Sequence, residues 1–427
     1  MMLKSDLNRF DEATRRQFML RTAKTALGVS LLPVSSQLAK AAEKGASGGK
    51  AKHVIYLYMQ GGMSHIDTFD PKEGATKGFK DPIKTKADGM QLGGYMEKLA
   101  TQADKIALVR SMTSKTGVHE QGNYLMHTGY DPRGTIVHPS MGAWATHFLG
   151  RASKTLPDSV TIGGGSGHPG AGFFPPAISP IPISSAEAGL QNVRPTASEG
   201  QFQKRVEMMN EFDAAFRNKF KSSEVKAYTE FYDETLSLMK SEDLKAFDLK
   251  KEDQATRAKY GMNAFGQGCL LARRLVENGV RFVEVQTGGW DMHNYVDDAM
   301  ARTGGGMDQA FAALLEDLAS KGLLESTLVV LGSEFGRTPD INENSGRDHY
   351  PKVFTTVFAG GGVKGGYVHG ASDPEGREVA DKQVTVQDFL SSIGYAMGLP
   401  VDEVVMSPSN RPFTVADKGK PVLELFA

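Results

Sequence analysis

With a single cysteine, Cys269, in 427 residues, the chain cannot close a disulfide within itself. Its stability must come from a packed core rather than from covalent staples. Cys269 lies in the helix-like run QGCLLARRL, where a thiol is packing material rather than a nucleophile. Net charge is also scarce: 49 Lys and Arg face 50 Asp and Glu, for a formal −1. No basic field is available to gather nucleic acid. Long apolar runs are missing too, and none reaches the roughly 20 residues that span a bilayer. Nucleic-acid binders, disulfide scaffolds and helical membrane proteins are thereby set aside.

The N-terminus is a targeting segment. Arg15-Arg16 precede Gln17-Phe18-Met19-Leu20 and the mildly apolar stretch Thr25–Val34, and Ala39-Lys40-Ala41 follows as a small-x-small cleavage site. That order resembles a twin-arginine export signal. It predicts a signal peptide over residues 1–41, a linker over 42–52, and a periplasmic or secreted mature chain that passes through the twin-arginine machinery. Residues 1–41 hold seven Lys and Arg against three Asp and Glu, a net of +4, which leaves −5 for the remainder.

Three short apolar runs each end in glycine and polar residues. His53–Met59 leads into Gln60-Gly61-Gly62-Met63-Ser64-His65, Arg281–Val285 into Gly288-Gly289-Trp290-Asp291-Met292-His293, and Thr327–Leu331 into Gly332-Ser333-Glu334-Phe335-Gly336-Arg337. Such runs read as buried strands, and in an open α/β sheet the working crevice lies beyond their carboxyl ends. Strand-like and helical stretches alternate along residues 53–427, which predicts one α/β domain, a three-layer α/β/α sandwich on a mostly parallel, doubly wound sheet. A helical insertion is expected around residues 198–277, with Phe212, Phe216 and Phe220 on one core-facing stripe and one long helix over Gln254–Asn278.

The residues that could carry chemistry gather at the strand ends. Asp291 and His293 are two apart and share a side if the chain stays extended, a spacing suited to two ligands of one metal. Glu334 is either a further ligand or a residue favoured by a helix N-terminus. Arg337 and Arg347 could grip an anion. Asp348-His349 lies in a polar loop led by Gly346 and closed by Pro351. His119 opens a helix that ends at Thr128-Gly129, where it could bind metal or attack phosphorus. One of His65, Asp67 and Asp70 is expected to reach the crevice.

The stretches GGMSHIDTFDPK, HEQGNYLMHTG, GGWDMH, SEFGRTP and GRDHYP, in that order, resemble the exported bacterial family known as DUF1501. That family is in turn similar to the alkaline phosphatase and sulfatase superfamily. The resemblance implies an alkaline phosphatase-like α/β/α fold with a divalent-metal site at the strand ends. It places Asp291 and His293 at an Asp and His of that site, and His349 at its late His. Glu334 stands where the superfamily has an Asp-His pair, so the carboxylate is kept and the imidazole is not. His119 falls where a Ser, Thr or Cys nucleophile is usual. The first-strand Asp has no counterpart, with Gln60 and His65 nearby.

The resulting expectation is a metal-dependent hydrolase of a small anionic ester, a phosphorylated or sulfated glycan among them. Asp291, His293, Glu334 and His349 would be metal ligands, with Asp348 behind or beside them. Mixed imidazole and carboxylate donors suit Zn or Mn. Arg337 and Arg347 would stabilise developing charge, and His119 would act as nucleophile or acid–base group. The alternative is a non-catalytic envelope or extracellular scaffold that holds an anionic ligand on the same fold.

Overall fold

The computed structural model describes residues 49–427 except 165–166, 192, 194–196 and most of 221–234. The predicted signal over residues 1–41, and the linker as far as residue 48, lie outside the described residues.

The three runs read from the sequence are adjacent strands in the middle of a nine-stranded sheet. The sheet is built from β1 (His53–Met59), β2 (Ile106–Thr113), β3 (Ser159–Ile162), β4 (Ile181–Ile183), β5 (Phe282–Thr287), β6 (Thr327–Gly332), β7 (Phe354–Ala359), β8 (Tyr367–His369) and β9 (Val384–Thr385). The spatial order is β8-β2-β7-β6-β1-β5-β3-β4, with β9 alongside β2. β1 pairs in parallel with β5 on one side and β6 on the other, and Met59 is level with Thr287 and Tyr58 with Gly332. The carboxyl ends that carry the polar motifs therefore sit side by side. Only β7 runs against its neighbours, antiparallel to both β6 and β2. The fold is an α/β/α sandwich on a mostly parallel sheet.

Alternation along β1 shows the three layers directly. Ile55, Leu57 and Met59 enter one core, and Val54, Tyr56 and Tyr58 enter the other, as the period-two pleat requires. The first core is covered by helices Ala264–Glu277 and Gly305–Ser320, through Leu270, Leu275, Leu314 and Leu318. The second is covered by Met141–Leu149 and Val386–Ala396, through Trp144, Phe148, Phe389 and Ile393. Fully burying each such side chain is worth roughly 1.5–3 kcal/mol. Cys269 is buried in the first of these cores, and burial pushes its thiol well up, as expected of packing. Among the described residues no helix is long and apolar enough to cross a membrane.

Two local expectations change. The helix expected over Gln254–Asn278 is two helices, Gln254–Tyr260 and Ala264–Glu277. Gly261 breaks it at φ +93°, and Asn263 restarts it by accepting a hydrogen bond from the Gly266 N–H, a side-chain N-cap. The Phe stripe is not core: on helix Glu199–Lys219 Phe212 is 72% exposed, and Phe220 just beyond it is 45% exposed.

Candidate metal centre

Asp291, His293, His349 and His119 converge on one point at the carboxyl end of the sheet. Around Asp291 Oδ1 stand His293 Nε2 at 3.0 Å, His349 Nε2 at 3.1 Å and His119 Nε2 at 3.3 Å. The His293 and His349 Nε2 atoms are themselves 3.0 Å apart. A tetrahedral ion with bonds of about 2.0–2.1 Å spaces its donors by roughly 3.3 Å; His119, Asp291 and His349 each offer a donor atom within 4.8 Å of the others, a group that could hold a metal ion, and His293 stands beside it.

Each imidazole is turned by an acceptor on its far nitrogen. Nδ1 of His349 donates to the Gly117 carbonyl at 2.7 Å. Nδ1 of His293 donates to Asp348 Oδ1 at 2.7 Å, and Nδ1 of His119 to Glu334 Oε1 at 2.7 Å. Holding the proton on Nδ1 turns the Nε2 lone pair towards the shared point, the usual arrangement behind metal-binding histidines. His119 Nε2 is buried and has no hydrogen-bond partner among the described residues. Three inward imidazole nitrogens on one carboxylate oxygen are satisfied by protons or by a cation.

The charges follow this geometry. The Glu334 hydrogen bond outweighs burial and raises the His119 pKa, with Asp291 adding to it. Burial pushes the Asp291 carboxyl up, but Arg337 and His349 outweigh it and hold the group well below the usual carboxylate range.

Two loops must touch for this to happen. A Cβ at Gly61 (φ +127°) would lie 2.4 Å from the Asp291 nitrogen, and one at Gly346 would lie 2.0 Å from the His293 carbonyl carbon. Glycine is therefore what allows the loop after β1 and the loop carrying Asp348 and His349 to close on the Asp291–His293 segment.

Five sequence expectations meet the geometry here. His119, read as a metal ligand or a nucleophile, has Nε2 3.3 Å from Asp291 Oδ1, within the same group of donors. Glu334 is fully buried, and Oε1 accepts from His119 and from the Gly61 N–H at 2.8 Å, while Ser333 Oγ and Tyr58 Oη, whose protons go to the Met59 carbonyl and to Asn123, lie 3.2 and 3.3 Å from Oε2. It holds His119 from behind and is not among the residues whose donor atoms group with Asp291. Arg337 is buried, bonded to the Gly61, Gly62 and Arg347 carbonyls, and reaches Asp291; it holds the Asp291 carboxylate in place. Arg347 is not brought into the cluster: it is fully buried, with Nε 2.7 Å from Asp67 Oδ2. Of the loop after β1, Asp67 is thus spent on Arg347, Asp70 on Lys72 and Arg110, and His65 on the Gly376 carbonyl. All three are buried, and none reaches the crevice.

The Asp67–Arg347 pair gives a clear expectation. Arg347→Ala leaves a buried carboxylate uncompensated, which costs about 3–5 kcal/mol. Urea unfolding should show that loss while the folded fraction keeps its metal. Unchanged stability with lost turnover would return Arg347 to a substrate-binding role.

A second polar cluster, His127, His168 and Glu284, was not read from the sequence. His127 Nε2 is 2.7 Å from Glu284 Oε1 and His168 Nε2 is 3.4 Å from Oε2. Here the hydrogen bonds differ in kind. His168 Nδ1 accepts from the Gly170 N–H at 3.1 Å, so its proton sits on Nε2 and points to Glu284. His127 Nδ1 faces the Asn123 carbonyl at 2.6 Å, so both its nitrogens face acceptors, as an imidazolium requires. Gln286 Nε2 also donates to Glu284. Protons can satisfy these contacts, and the three residues also offer donor atoms within 4.8 Å of one another, as His119, Asp291 and His349 do.

The family profile of DUF1501, a protein family of unknown function, matches residues 51–426, nearly all of the described chain. The chain belongs to the DUF1501 family. No curated protein matches this DUF1501 chain. Solved structures similar to it include the lipoteichoic acid synthase LtaP from Listeria monocytogenes, at 8% identity and a TM-score of 0.37, covering 86% of this chain and 79% of that one. The PsFucS1 sulfatase from Pseudoalteromonas sp. has 14% identity and a TM-score of 0.39, covering 94% and 81%. Alkaline phosphatase from the Antarctic bacterium TAB5 has 12% identity and a TM-score of 0.33, covering 73% and 92%.

Proposed function

We propose that this DUF1501 chain is an exported, metal-dependent hydrolase of phosphate or sulfate esters. The observation that carries the metal is the convergence of His119, His293 and His349 Nε2 on Asp291 Oδ1, each ring fixed by an acceptor on Nδ1. The donor set, three imidazoles and a carboxylate, suits Zn or Mn. When bound, such an ion polarises an ester oxygen and lowers the pKa of its water. The chain's own residues do the rest. Glu334, Asp348 and the Gly117 carbonyl keep the rings in register, and Arg337 keeps Asp291 ionised and in place. The class of ester, including a sulfated or phosphorylated glycan, follows from the resemblance read in the sequence.

His119 among the donors also favours a second reading. With that position given to a ligand, the chain carries a histidine where the resemblance places a Ser, Thr or Cys nucleophile, so either water attacks directly or the chain is a scaffold that binds an anionic ligand without turning it over. One experiment separates these. Protein purified without chelators is expected to contain about one equivalent of divalent metal and, with Zn or Mn supplied, to cleave aryl phosphate or aryl sulfate esters. Metal-replete protein that saturates with inorganic phosphate but cleaves nothing supports the scaffold, and well-folded protein that takes up no metal rejects the metal reading.

A further inference from the structure

The polar groups next to the metal centre are almost all spent. Glu334, Arg337 and Asp348 each hold a neighbour, as described above. Asn123 is different. It lies one turn along the helix His119–Thr128 from His119, at the i,i+4 spacing that puts both side chains on one face. Its side-chain carbonyl is engaged, accepting a short hydrogen bond from Tyr58 Oη. Tyr58 is fully buried, and burial, with the Glu334 charge, raises its pKa well above the ordinary value. The phenol therefore keeps its proton and can always donate it. With the carbonyl held, the amide cannot rotate freely, and its Nδ2, which carries two N–H groups, makes no hydrogen bond among the described residues. Asn123 is itself only half-buried, so its side chain is not sealed in the core.

From this juxtaposition we infer that Asn123 Nδ2 is a substrate-anion donor: it hydrogen-bonds a non-bridging oxygen of the tetrahedral phosphate or sulfate group beside the metal centre. A neutral amide fits this task. It stabilises an oxyanion through a fixed dipole without competing with the imidazoles for the cation, and it adds no positive charge beside it. The assignment rests on the proposed hydrolase or anion-binding reading of the same crevice. It names a residue that would contact the ligand directly, whereas Tyr58 is a positioning residue that acts through Asn123.

The test uses the metal-loaded full chain and three variants, Asn123→Ala, Asn123→Asp and Tyr58→Phe, with inorganic phosphate and inorganic sulfate as probes in calorimetric titration. All variants are expected to keep wild-type metal content. Asn123→Ala should weaken phosphate binding at least tenfold, and Asn123→Asp, which sets a carboxylate against the anion, should abolish it. Tyr58→Phe leaves Asn123 in place but frees its carbonyl, and should give an intermediate loss. Where an ester is turned over, the loss should appear in kcat/KM with a raised KM. Wild-type affinity in Asn123→Ala overturns the inference, as does a metal-loaded wild type that binds neither anion. Protein without metal that still binds phosphate through Asn123 would sink the metal reading and leave this one standing.

Discussion

Replacing His349 by alanine is expected to cost the protein its divalent metal and, with it, ester turnover, while the chain stays folded. His349 is 27% exposed on its side chain and lies in a loop strand, His349–Tyr350, paired with Gly336–Arg337, so the packing lost with it is confined to ring contacts with Phe335, His119 and His293. What disappears is one of three imidazoles. The effect should exceed that of Glu334→Gln, which leaves the donor set intact and only weakens the orientation of His119. Losing such an outer partner typically costs 10–100-fold in metal affinity. Elemental analysis and chelator competition on the two variants would rank them, and an alanine variant with full metal content would count decisively against the site.

The second large effect concerns the buried pair His127–Glu284. Both side chains are about 5% exposed or less. Glu284→Gln removes the charge that faces the His127 imidazolium, and breaking a buried pair from one side costs about 3–5 kcal/mol. The pH dependence has a definite sign. Burial alone lowers the His127 pKa, but the Glu284 charge and hydrogen bond outweigh it and leave the group raised above 6.5. Burial alone raises Glu284, but His127 and His168 outweigh it and leave that carboxyl far below 4.5. A raised imidazole stabilises fully below its unfolded value and loses that contribution as pH climbs through the folded one. A depressed carboxylate stabilises fully above its unfolded value and loses the contribution as pH falls through the folded one. The pair is therefore strongest between about pH 4.5 and 6.5, and its advantage declines on the alkaline side. Urea unfolding of wild type and of a His127→Leu, Glu284→Leu double variant, both free of metal, should show their stability difference peaking in that window. A difference that keeps growing above pH 8 would mean that His127 is not a cation.

How much of this was readable beforehand depended on whether a residue's partner lay close in sequence. The three central strands announce themselves by β-branched runs ending in glycine, and their parallel alignment brings Asp291 and His293 together with His349. Glu334 and Arg347 were misjudged because what they hold comes from far away. His119 is 215 residues from Glu334, and Asp67 is 280 from Arg347. A charged side chain at a strand end looks the same in sequence whether it meets a metal or a distant partner. The His127–His168–Glu284 cluster was missed for a related reason. Glu284 sits inside the run RFVEV, where a polar residue passes for ordinary alternation. The available signal was that this strand is central in a sheet covered on both faces, so its carboxylate has no water to face and must have partners. The Phe212 stripe failed in the opposite direction, since helical periodicity marks a face without saying what lies against it.

The contact between His349 and the Gly117 carbonyl joins positions 232 residues apart. A ribosome delivers residue 349 only after most of the chain has been made, and the strand Phe354–Ala359, which wedges between its two neighbours, comes later still. No early fragment contains the full donor set. An ion held there would therefore not seed collapse of the nascent polypeptide, as it does in small zinc modules whose ligands are close in sequence. It would seal an architecture that the apolar layers have already assembled, and its release should leave a compact, sheet-bearing protein with a slack crevice.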